Sequence, residues 1–342
     1  MSPKNLSVSG RSLNLLKTRI TDKNLKRIYK KFEQSLNLNK NFIVAVSGGS
    51  DSLALAYLTK IYSLKKKIKA IYFIVDHRIR TGSTKEANSV KKLLKKHKIK
   101  TEVLSWKGKK PSSNIQSIAR AARYDLLFKK CNQLRINNIL LGHHSDDLLE
   151  NFLIRILRGS GLRGLASFDK KTLNNKISII RPLINLEKKD LIYVSERIFK
   201  FYVTDPSNSD DKFQRIKIRK LLTSLQKEGL DKKKFLSTIN NLKSSDDTIK
   251  YFVKENLEKN VVFFGSRKIA ILNNNFFKNP NEIIFRSLSE CIKKIGENYY
   301  YVRGKKLQKI IDDLSNKTLF KGTLGRCIIK KIDQTVIISR EN

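Results

Sequence analysis

Cysteine is scarce in this sequence. The chain of 342 residues contains three cysteines, Cys131, Cys291 and Cys327, and no two of them form a C-x-x-C pair. Disulfide frameworks, zinc ribbons and iron–sulfur clusters held by a cysteine pair are therefore not predicted. Long apolar runs are also missing, because the hydrophobic residues, 40% of the chain, form no run of roughly 20 residues that would span a bilayer. We therefore expect no membrane span.

The first residues lack the features of a secretion signal. Residues 1–19 alternate polar and basic residues with scattered leucines and contain no compact apolar region. A signal peptide needs such a region, followed by a cleavage site of small residues. The sequence therefore predicts a cytoplasmic protein.

Acidic residues are few relative to basic ones. Lys and Arg number 72 against 30 Asp and Glu, which gives a formal net charge of +42. Part of this excess fits a lysine-rich composition in which Asn and Ile are also plentiful. A polyanionic partner accounts for the rest, because Lys and Arg neutralise phosphates and release counterions. Nucleic acid is favoured over an anionic membrane surface, which would call for a basic amphipathic helix with aromatic anchors.

Short apolar runs alternate with helical patterns from residue 41 to about residue 183. This alternation is typical of α/β proteins. The apolar runs are nearly continuous, which indicates strands buried on both faces of a parallel sheet. The predicted strands are 42–47, 69–76, 101–106 and 138–142, and helices are predicted at 52–64, 84–97 and 114–131. Ligands of such sheets bind at the carboxyl ends of the strands.

The length of the chain predicts more than one domain. Residues 1–40 are a basic lead-in with a helix at 22–36, and residues 41–215 form the parallel-sheet domain. Residues 216–342 are expected to form a smaller, mainly helical domain. It ends in a hairpin with strands at 327–332 and 335–339.

A turn rich in Ser and Gly follows the first predicted strand and precedes a helix. Its members are Ser47, Gly48, Gly49, Ser50, Asp51 and Ser52. Glycines permit close backbone approach, and the helix amino terminus, backbone N–H groups and hydroxyls attract a phosphate. A carboxylate beside phosphate is repulsive unless a cation intervenes, so Asp51 predicts Mg²⁺. The alternative is an ordinary N-cap turn.

A second polar cluster follows the fourth predicted strand. His143, Asp147 and Glu150 would face one site if they lay on one helix, because they are separated by four and three residues. Paired carboxylates bind either a metal ion or a substrate ammonium group. A solvated acidic turn that caps a helix is the alternative.

The turn at 47–52 resembles the pyrophosphatase loop of the N-type ATP pyrophosphatases, which split ATP into AMP and pyrophosphate and adenylate an oxygen of their substrate. Further stretches resemble, in order, the tRNA(Ile)-lysidine synthetase family over about residues 42–219. These stretches are V-D-H-R-I-R at 75–80, A-R-A-A-R-Y at 119–124, H-H-S-D-D-L-L-E at 143–150, L-R-G-S-G-L at 157–162, R-P-L at 181–183 and D-P-S-N at 205–208. Many members carry Gln, Thr and Asn where this chain has Leu148, Asn151 and Ile216.

This resemblance implies a Rossmann-like fold and a two-step reaction. ATP would adenylate the C2 oxygen of the wobble cytidine of an isoleucine tRNA with the anticodon CAU. The ε-amine of free lysine would then displace AMP, leaving lysidine, which reads AUA instead of AUG. Mg²⁺ and basic residues would stabilise the departing pyrophosphate.

The resemblance also implies roles for individual residues. The turn at 47–52 and Arg123 would bind ATP, with Asp51 on Mg²⁺, while Asp147 and Glu150 would bind the lysine ammonium group. The residues expected at the reaction itself are Asp51, Arg120, His143 and Asp147. Those expected to contact tRNA phosphates are Arg215, Lys217, Arg219 and Lys220. Tyr299, Tyr300 and Tyr301 offer rings for base stacking or for a core.

Three other functions compete with this one. A tRNA thiolase would normally need a cysteine pair, which the chain lacks. An RNA-binding protein without catalysis has no use for Asp51, Asp147 and Glu150 beside a polyanion. A ligase acting on a small metabolite does not account for the net charge of +42. Both a monomer and a homodimer are compatible with the sequence.

Overall fold

The structure is a computed structural model that describes residues 22–341, apart from 80, 109–110, 112–114, 175, 204–213, 266–267 and 299–300. The predicted motif at 205–208, Arg80, Tyr299, Tyr300 and the first part of the lead-in lie outside the described residues. Contacts divide the chain into two compact units, 1–239 and 240–342. No helix in the described ranges is long and apolar enough to cross a membrane.

The first unit contains a six-stranded sheet in the order β3-β2-β1-β4-β6-β5. Strands β1, β2, β3, β4 and β6 are parallel, and β5 runs antiparallel at the edge. The strands are Phe42–Val46, Ala70–Asp76, Thr101–Ser105, Asn138–Leu140, Lys171–Asn174 and Ile177–Ile180. All four strands predicted from apolar runs are confirmed, while β5 and β6 were not predicted.

Apolar residues of the central strands alternate between two cores. Phe42, Val44 and Val46 belong to one buried cluster, and Ile43 belongs to another. This alternation follows from the two-residue period of a strand, which sends successive side chains to opposite faces. Burial on both faces explains why the strands read as continuous apolar runs.

Helices connect and cover the strands of this sheet. Those of the first unit are Lys23–Ser35, Ser50–Lys66, Ser83–Lys96, Ile115–Leu134, Ser145–Leu157, Leu162–Ala166, Lys188–Phe199 and Gln214–Lys227. The three helices predicted between strands are present, each with ends within a few residues of the prediction. The lead-in helix is part of the core, because Leu25, Ile28 and Phe32 pack in the same cluster as strand β1.

The second unit combines helices with a five-stranded antiparallel sheet. Helix Lys232–Asn260 leads into it, followed by the 3₁₀ helix Asn274–Lys278 and the helices Asn281–Ile295 and Gly304–Asn316. The sheet order is β7-β8-β11-β10-β9. Its strands are Val261–Phe264, Ile269–Leu272, Leu319–Leu324, Cys327–Ile332 and Thr335–Arg340. The predicted hairpin is β10-β11, and the other three strands, which are short or carry charged and polar residues, were not predicted.

The division between the units differs from the predicted boundary near residue 215. Helix Gln214–Lys227 belongs to the first unit. Its Arg219 pairs with Glu150, and its Gln214 side chain accepts a hydrogen bond from Arg158 at 2.9 Å. The change from apolar strands to Lys- and Leu-rich helices therefore occurs within one compact unit. Amino-acid composition indicates whether a segment is a strand or a helix, whereas tertiary contacts decide which segments pack into one unit.

Candidate active site

The loop after strand β1 folds around one hydroxyl group. The backbone N–H groups of Ser47 and Gly48 both donate to Ser52 Oγ, each at a distance of 3.0 Å. The Ser52 hydroxyl in turn donates to the Gly49 carbonyl oxygen at 3.0 Å. Gly48 has φ +92°, and a Cβ there would lie 2.6 Å from Val90 Cγ2. Glycine therefore suits this turn on both counts. Two of the N–H groups expected to meet a phosphate are bonded within the loop instead.

Strand β4 ends against this loop. A Cβ on Gly142 would lie 3.2 Å from the carbonyl carbon and oxygen of Asp51 and from the nitrogen of Ser52. Glycine thus allows the two chain segments to approach closely. Strand β1 pairs with β2 on one side and with β4 on the other, so the strand order reverses here. Ligands of open α/β sheets bind in the crevice at such a point.

His144 connects the two segments. Its Nδ1 accepts a hydrogen bond from the Asp146 backbone nitrogen at 3.2 Å, so we assign the proton of the neutral ring to Nε2. This Nε2 lies 3.7 Å from Asp51 Oδ2 and 3.6 Å from Asp147 Oδ2. The His144 backbone N–H also donates to Asp147 Oδ2 at 3.0 Å. His144 therefore caps helix Ser145–Leu157 and holds its ring between two carboxylates.

His143 precedes this helix and does not lie on it. Its ring packs edge-on against Phe168, with centroids 5.4 Å apart. The Arg181 guanidinium carbon lies 4.6 Å from the centre of the same Phe168 ring. The pKa of His143 is lowered to about 3, mainly by burial; Asp147 opposes this effect, and nearby guanidinium groups add to it. The imidazole is therefore neutral near pH 7, and its buried Nδ1 has no hydrogen-bond partner in the described part of the chain.

The two acidic residues predicted for substrate binding are both buried. Burial favours the neutral form of Asp147, but the neighbouring His144 and His143 and the His144 N–H hold its pKa below the usual range. Burial raises the pKa of Glu150 in spite of Arg219, whose Nε lies 2.5 Å from Glu150 Oε1. The two carboxylates, three residues apart on one helix, thus lie in different electrostatic surroundings.

The four predicted tRNA contacts fall into two groups on helix Gln214–Lys227. Arg219 pairs with Glu150, and Arg215, half-buried, lowers the pKa values of Asp147 and His143. Lys217 and Lys220 are exposed. The arginines therefore belong to the surroundings of the buried carboxylates, and the lysines belong to the outer surface.

Arginines gather on the side of His77 and His143. Burial lowers the pKa of Arg123, and Arg120 and Arg215 lower it further against Tyr124. Burial, together with Arg123, lowers the pKa of His77 to about 4 against the opposing effect of Asp76. Several partly buried positive charges that lie close together repel one another, so their arrangement favours the binding of an anion between them.

Asp51 is bonded by a lysine that sequence reasoning did not identify. Lys188 Nζ lies 2.7 Å from Asp51 Oδ1, 2.8 Å from Asp51 Oδ2 and 3.0 Å from Ser50 Oγ. Lys188 is the first residue of helix Lys188–Phe199, which follows strand β6. No local pattern signals this contact, because the two residues are far apart in sequence.

The acidic groups of the site match only one of the ways in which proteins hold metal ions. No cluster of three or more His, Cys, Asp or Glu that would hold a metal occurs among the residues that the structure describes. Mg²⁺, however, is commonly held by one or two carboxylates together with substrate phosphates and water. Asp51 suits this arrangement, because its side chain belongs to the loop at 47–52 and is 27% exposed. The donor set therefore fits a cation that shares its ligands with phosphates.

Comparison with known families identifies a PP-loop domain over residues 18–225. Three tRNA(Ile)-lysidine synthases illustrate the relatives. The protein of Orientia tsutsugamushi (strain Boryong) is 36% identical over 89% of this chain and 70% of its own length. That of Rickettsia akari (strain Hartford) is 33% identical over 92% and 74%, and that of Wolbachia pipientis wMel is 32% identical over 89% and 71%.

A solved structure resembles the fold. The U34-tRNA thiolase NcsA of Methanococcus maripaludis, determined with its 4Fe–4S cluster, superposes with a TM-score of 0.56. The superposition covers 65% of this chain and 79% of the thiolase, at 19% sequence identity. In this chain Cys131, Cys291 and Cys327 are buried free thiols. The superposition with the thiolase supports the Rossmann-like PP-loop fold of this chain.

Proposed function

This chain belongs to the family of PP-loop tRNA(Ile)-lysidine synthases, and on that premise we propose that it joins lysine to the wobble cytidine of an isoleucine tRNA with the anticodon CAU. The reaction consumes ATP and forms a carbon–nitrogen bond. The observation that carries this proposal is the meeting of Asp51, His144 and Asp147, which brings a phosphate-type loop and a pair of carboxylates to one crevice.

The first step is the transfer of an adenylyl group. The C2 oxygen of the cytidine attacks the α-phosphorus of ATP, and pyrophosphate leaves. The loop at 47–52 and Arg123 would hold the phosphates, and Arg120 would stabilise charge on the base or on the phosphate. Mg²⁺ bound through Asp51 would neutralise phosphate charge, as it does in phosphoryl transfer. Burial and the nearby Arg120 both lower the pKa of Arg123, and this proximity of two positive groups supports an anion at this position.

The second step is displacement by lysine. The ε-ammonium of lysine first releases one proton to water, and the resulting amine attacks C2 of the adenylated cytidine and expels AMP. The new C–N bond leaves a cationic nitrogen, which releases a second proton to water. Asp147 and Glu150 bind the ammonium form before this attack. The Glu150 carboxylate already holds the Arg219 cation, which supports a site built for a positive charge. His143 is neutral because its pKa is lowered to about 3, so it would contact the base or ATP without adding positive charge.

The basic surface fits an RNA substrate. Lys217 and Lys220 are exposed on the helix that also carries Arg215 and Arg219. Phosphate contacts of this kind position an RNA without reading its sequence. We place the reaction in the cytoplasm, where tRNA is modified. A thiolase is the second candidate, favoured only by the likeness of the fold to NcsA.

Lysine incorporation into RNA tests the proposal. The purified protein is incubated with ATP, Mg²⁺, labelled lysine and total tRNA, and the RNA is then treated with mild alkali. Alkali cleaves an aminoacyl ester but spares a carbon–nitrogen bond to a base. We expect alkali-stable, ATP-dependent label that maps to the anticodon. Absence of label in RNA that binds tightly to the protein would contradict the proposal and favour the thiolase or a catalytically silent RNA-binding protein.

A further inference from the structure

The ammonium group of Lys188 contacts the loop after strand β1. Its Nζ lies 2.7 and 2.8 Å from the two carboxylate oxygens of Asp51 and 3.0 Å from Ser50 Oγ. An ammonium group has three N–H donors, so a phosphate oxygen bound by Lys188 would replace one of these three acceptors while the contact with Asp51 remains. The Lys188 side chain is 42% exposed and that of Asp51 is 27% exposed. A ligand arriving from solvent can therefore reach both groups.

The position of Lys188 on its helix is unfavourable for a cation. Lys188 occupies the first residue of helix Lys188–Phe199, and the amino end of a helix carries partial positive charge. A lysine there gains nothing from the helix, so its benefit must come from negative charge outside the helix. Asp51 supplies one such charge, and bound phosphates would supply more.

Several contacts hold this helix against the loop. Glu187 and Asp190 form a capping box around the helix start, and Arg27 of the lead-in helix pairs with Asp190 at 2.6 Å. Further along, Ser195 Oγ donates to the Ser50 carbonyl oxygen at 2.7 Å. The backbone that carries Lys188 is therefore fixed relative to Ser50, and only the side chain needs to adjust.

We propose that Lys188 binds the β- and γ-phosphates of ATP and then the departing pyrophosphate, as a cationic bridge between these phosphates and Asp51. This inference rests on the proposed use of ATP. Phosphates held by the loop at 47–52 would bring negative charge beside the Asp51 carboxylate, and such a pair is repulsive without an intervening cation. Lys188 lies at that place and acts as a point charge towards phosphate. It is a binding residue supplied from outside the loop.

Pyrophosphate binding tests this role without requiring turnover. Dissociation constants for inorganic pyrophosphate with Mg²⁺ are measured by titration calorimetry for the whole chain, its Lys188→Met variant and a Lys189→Met control. Lys189 is the next residue, is 76% exposed and pairs with Glu187, so it reproduces the loss of charge on the same helix. We expect Lys188→Met to weaken binding by roughly 10- to 100-fold, as the loss of a charged hydrogen bond does, and the control to bind as the parent does.

Equal or tighter binding by Lys188→Met would overturn the proposal, because it would mean that the lysine only neutralises Asp51 and competes with Mg²⁺. Should this variant fail to fold, Lys188→Gln keeps hydrogen-bond donors for Ser50 and Asp51 without the charge and is scored the same way. Lysine incorporation is measured separately. A protein that binds pyrophosphate through Lys188 but adds no lysine to RNA would refute the proposed function and leave this inference standing.

Discussion

His144 Nε2 lies between two carboxylates, 3.7 Å from Asp51 Oδ2 and 3.6 Å from Asp147 Oδ2. Asp51 lies in the first turn of the helix after strand β1, and Asp147 lies in the first turn of the helix after strand β4. The imidazole therefore joins the phosphate-type loop to the proposed lysine site. Because its Nδ1 is engaged by the Asp146 N–H, the ring is oriented with Nε2 towards both acids.

Replacing Asp147 with Asn tests the lysine site. The amide keeps an oxygen that can accept the His144 N–H but removes the negative charge that would hold an ammonium group. We expect lysine transfer to fall by roughly 100-fold, with tRNA binding nearly unchanged in a filter-binding assay. Asp125→Asn is the control, since Asp125 is 60% exposed and pairs only at the surface with Lys129. Normal transfer by Asp147→Asn would refute the assignment.

Replacing Arg219 with Met tests the pair with Glu150. Burial already raises the pKa of Glu150, and Arg219 opposes that rise, so its removal raises the pKa further. The native state then retains a proton that the unfolded state releases, and stability falls as the pH rises from the ordinary carboxyl value of 4.5 through the folded pKa. We expect the loss of Tm relative to the parent to be larger at about pH 8 than at about pH 5. Lys217→Met is the control, and equal losses at both pH values would contradict the prediction.

Substitutions at two glycines of the first unit distinguish the cost of backbone strain from the cost of steric crowding. Gly48 and Gly82 both have positive φ, +92° and +86°, but only at Gly48 would a Cβ meet a neighbour, Val90 Cγ2 at 2.6 Å. Gly82→Ala should lower the free energy of unfolding by about 1 kcal/mol through its backbone conformation. Gly48→Ala should cost about 1–3 kcal/mol more. Denaturant unfolding measures both, and similar losses would mean that Val90 moves aside easily.

The lead-in helix can be tested as part of the fold. Phe32 is fully buried, and its ring packs edge-on against Tyr62 at a centroid distance of 6.1 Å. Phe32→Ala should lower the free energy of unfolding by about 3–5 kcal/mol, whereas Lys31→Ala, on the exposed face of the same helix, should change it little. A small effect at Phe32 would show that the first unit tolerates loss of this packing.

Local patterns predicted most of the first unit and little of the second. Strands β1 to β4 were visible because burial on both faces makes a run apolar throughout. Strand β5, Lys171–Asn174, is a polar edge strand, and β6, Ile177–Ile180, is short. In the second unit β9 carries Lys321 and Gly322 within Leu319–Leu324, so its sequence has no strong strand signal. Such strands are specified by the partners they pair with.

The sequence by itself determined the candidate groups of the site and the elements that carry them. These are the loop at 47–52, the acids Asp147 and Glu150, and the order of strands and helices. Those features depend on neighbours along the chain, where spacing and residue type act directly. Only the tertiary structure decided which groups meet. Lys188 contacts Asp51, Arg219 contacts Glu150, and His144 lies between Asp51 and Asp147. These contacts form because the parallel strands β1, β4 and β6 bring distant segments together at their carboxyl ends.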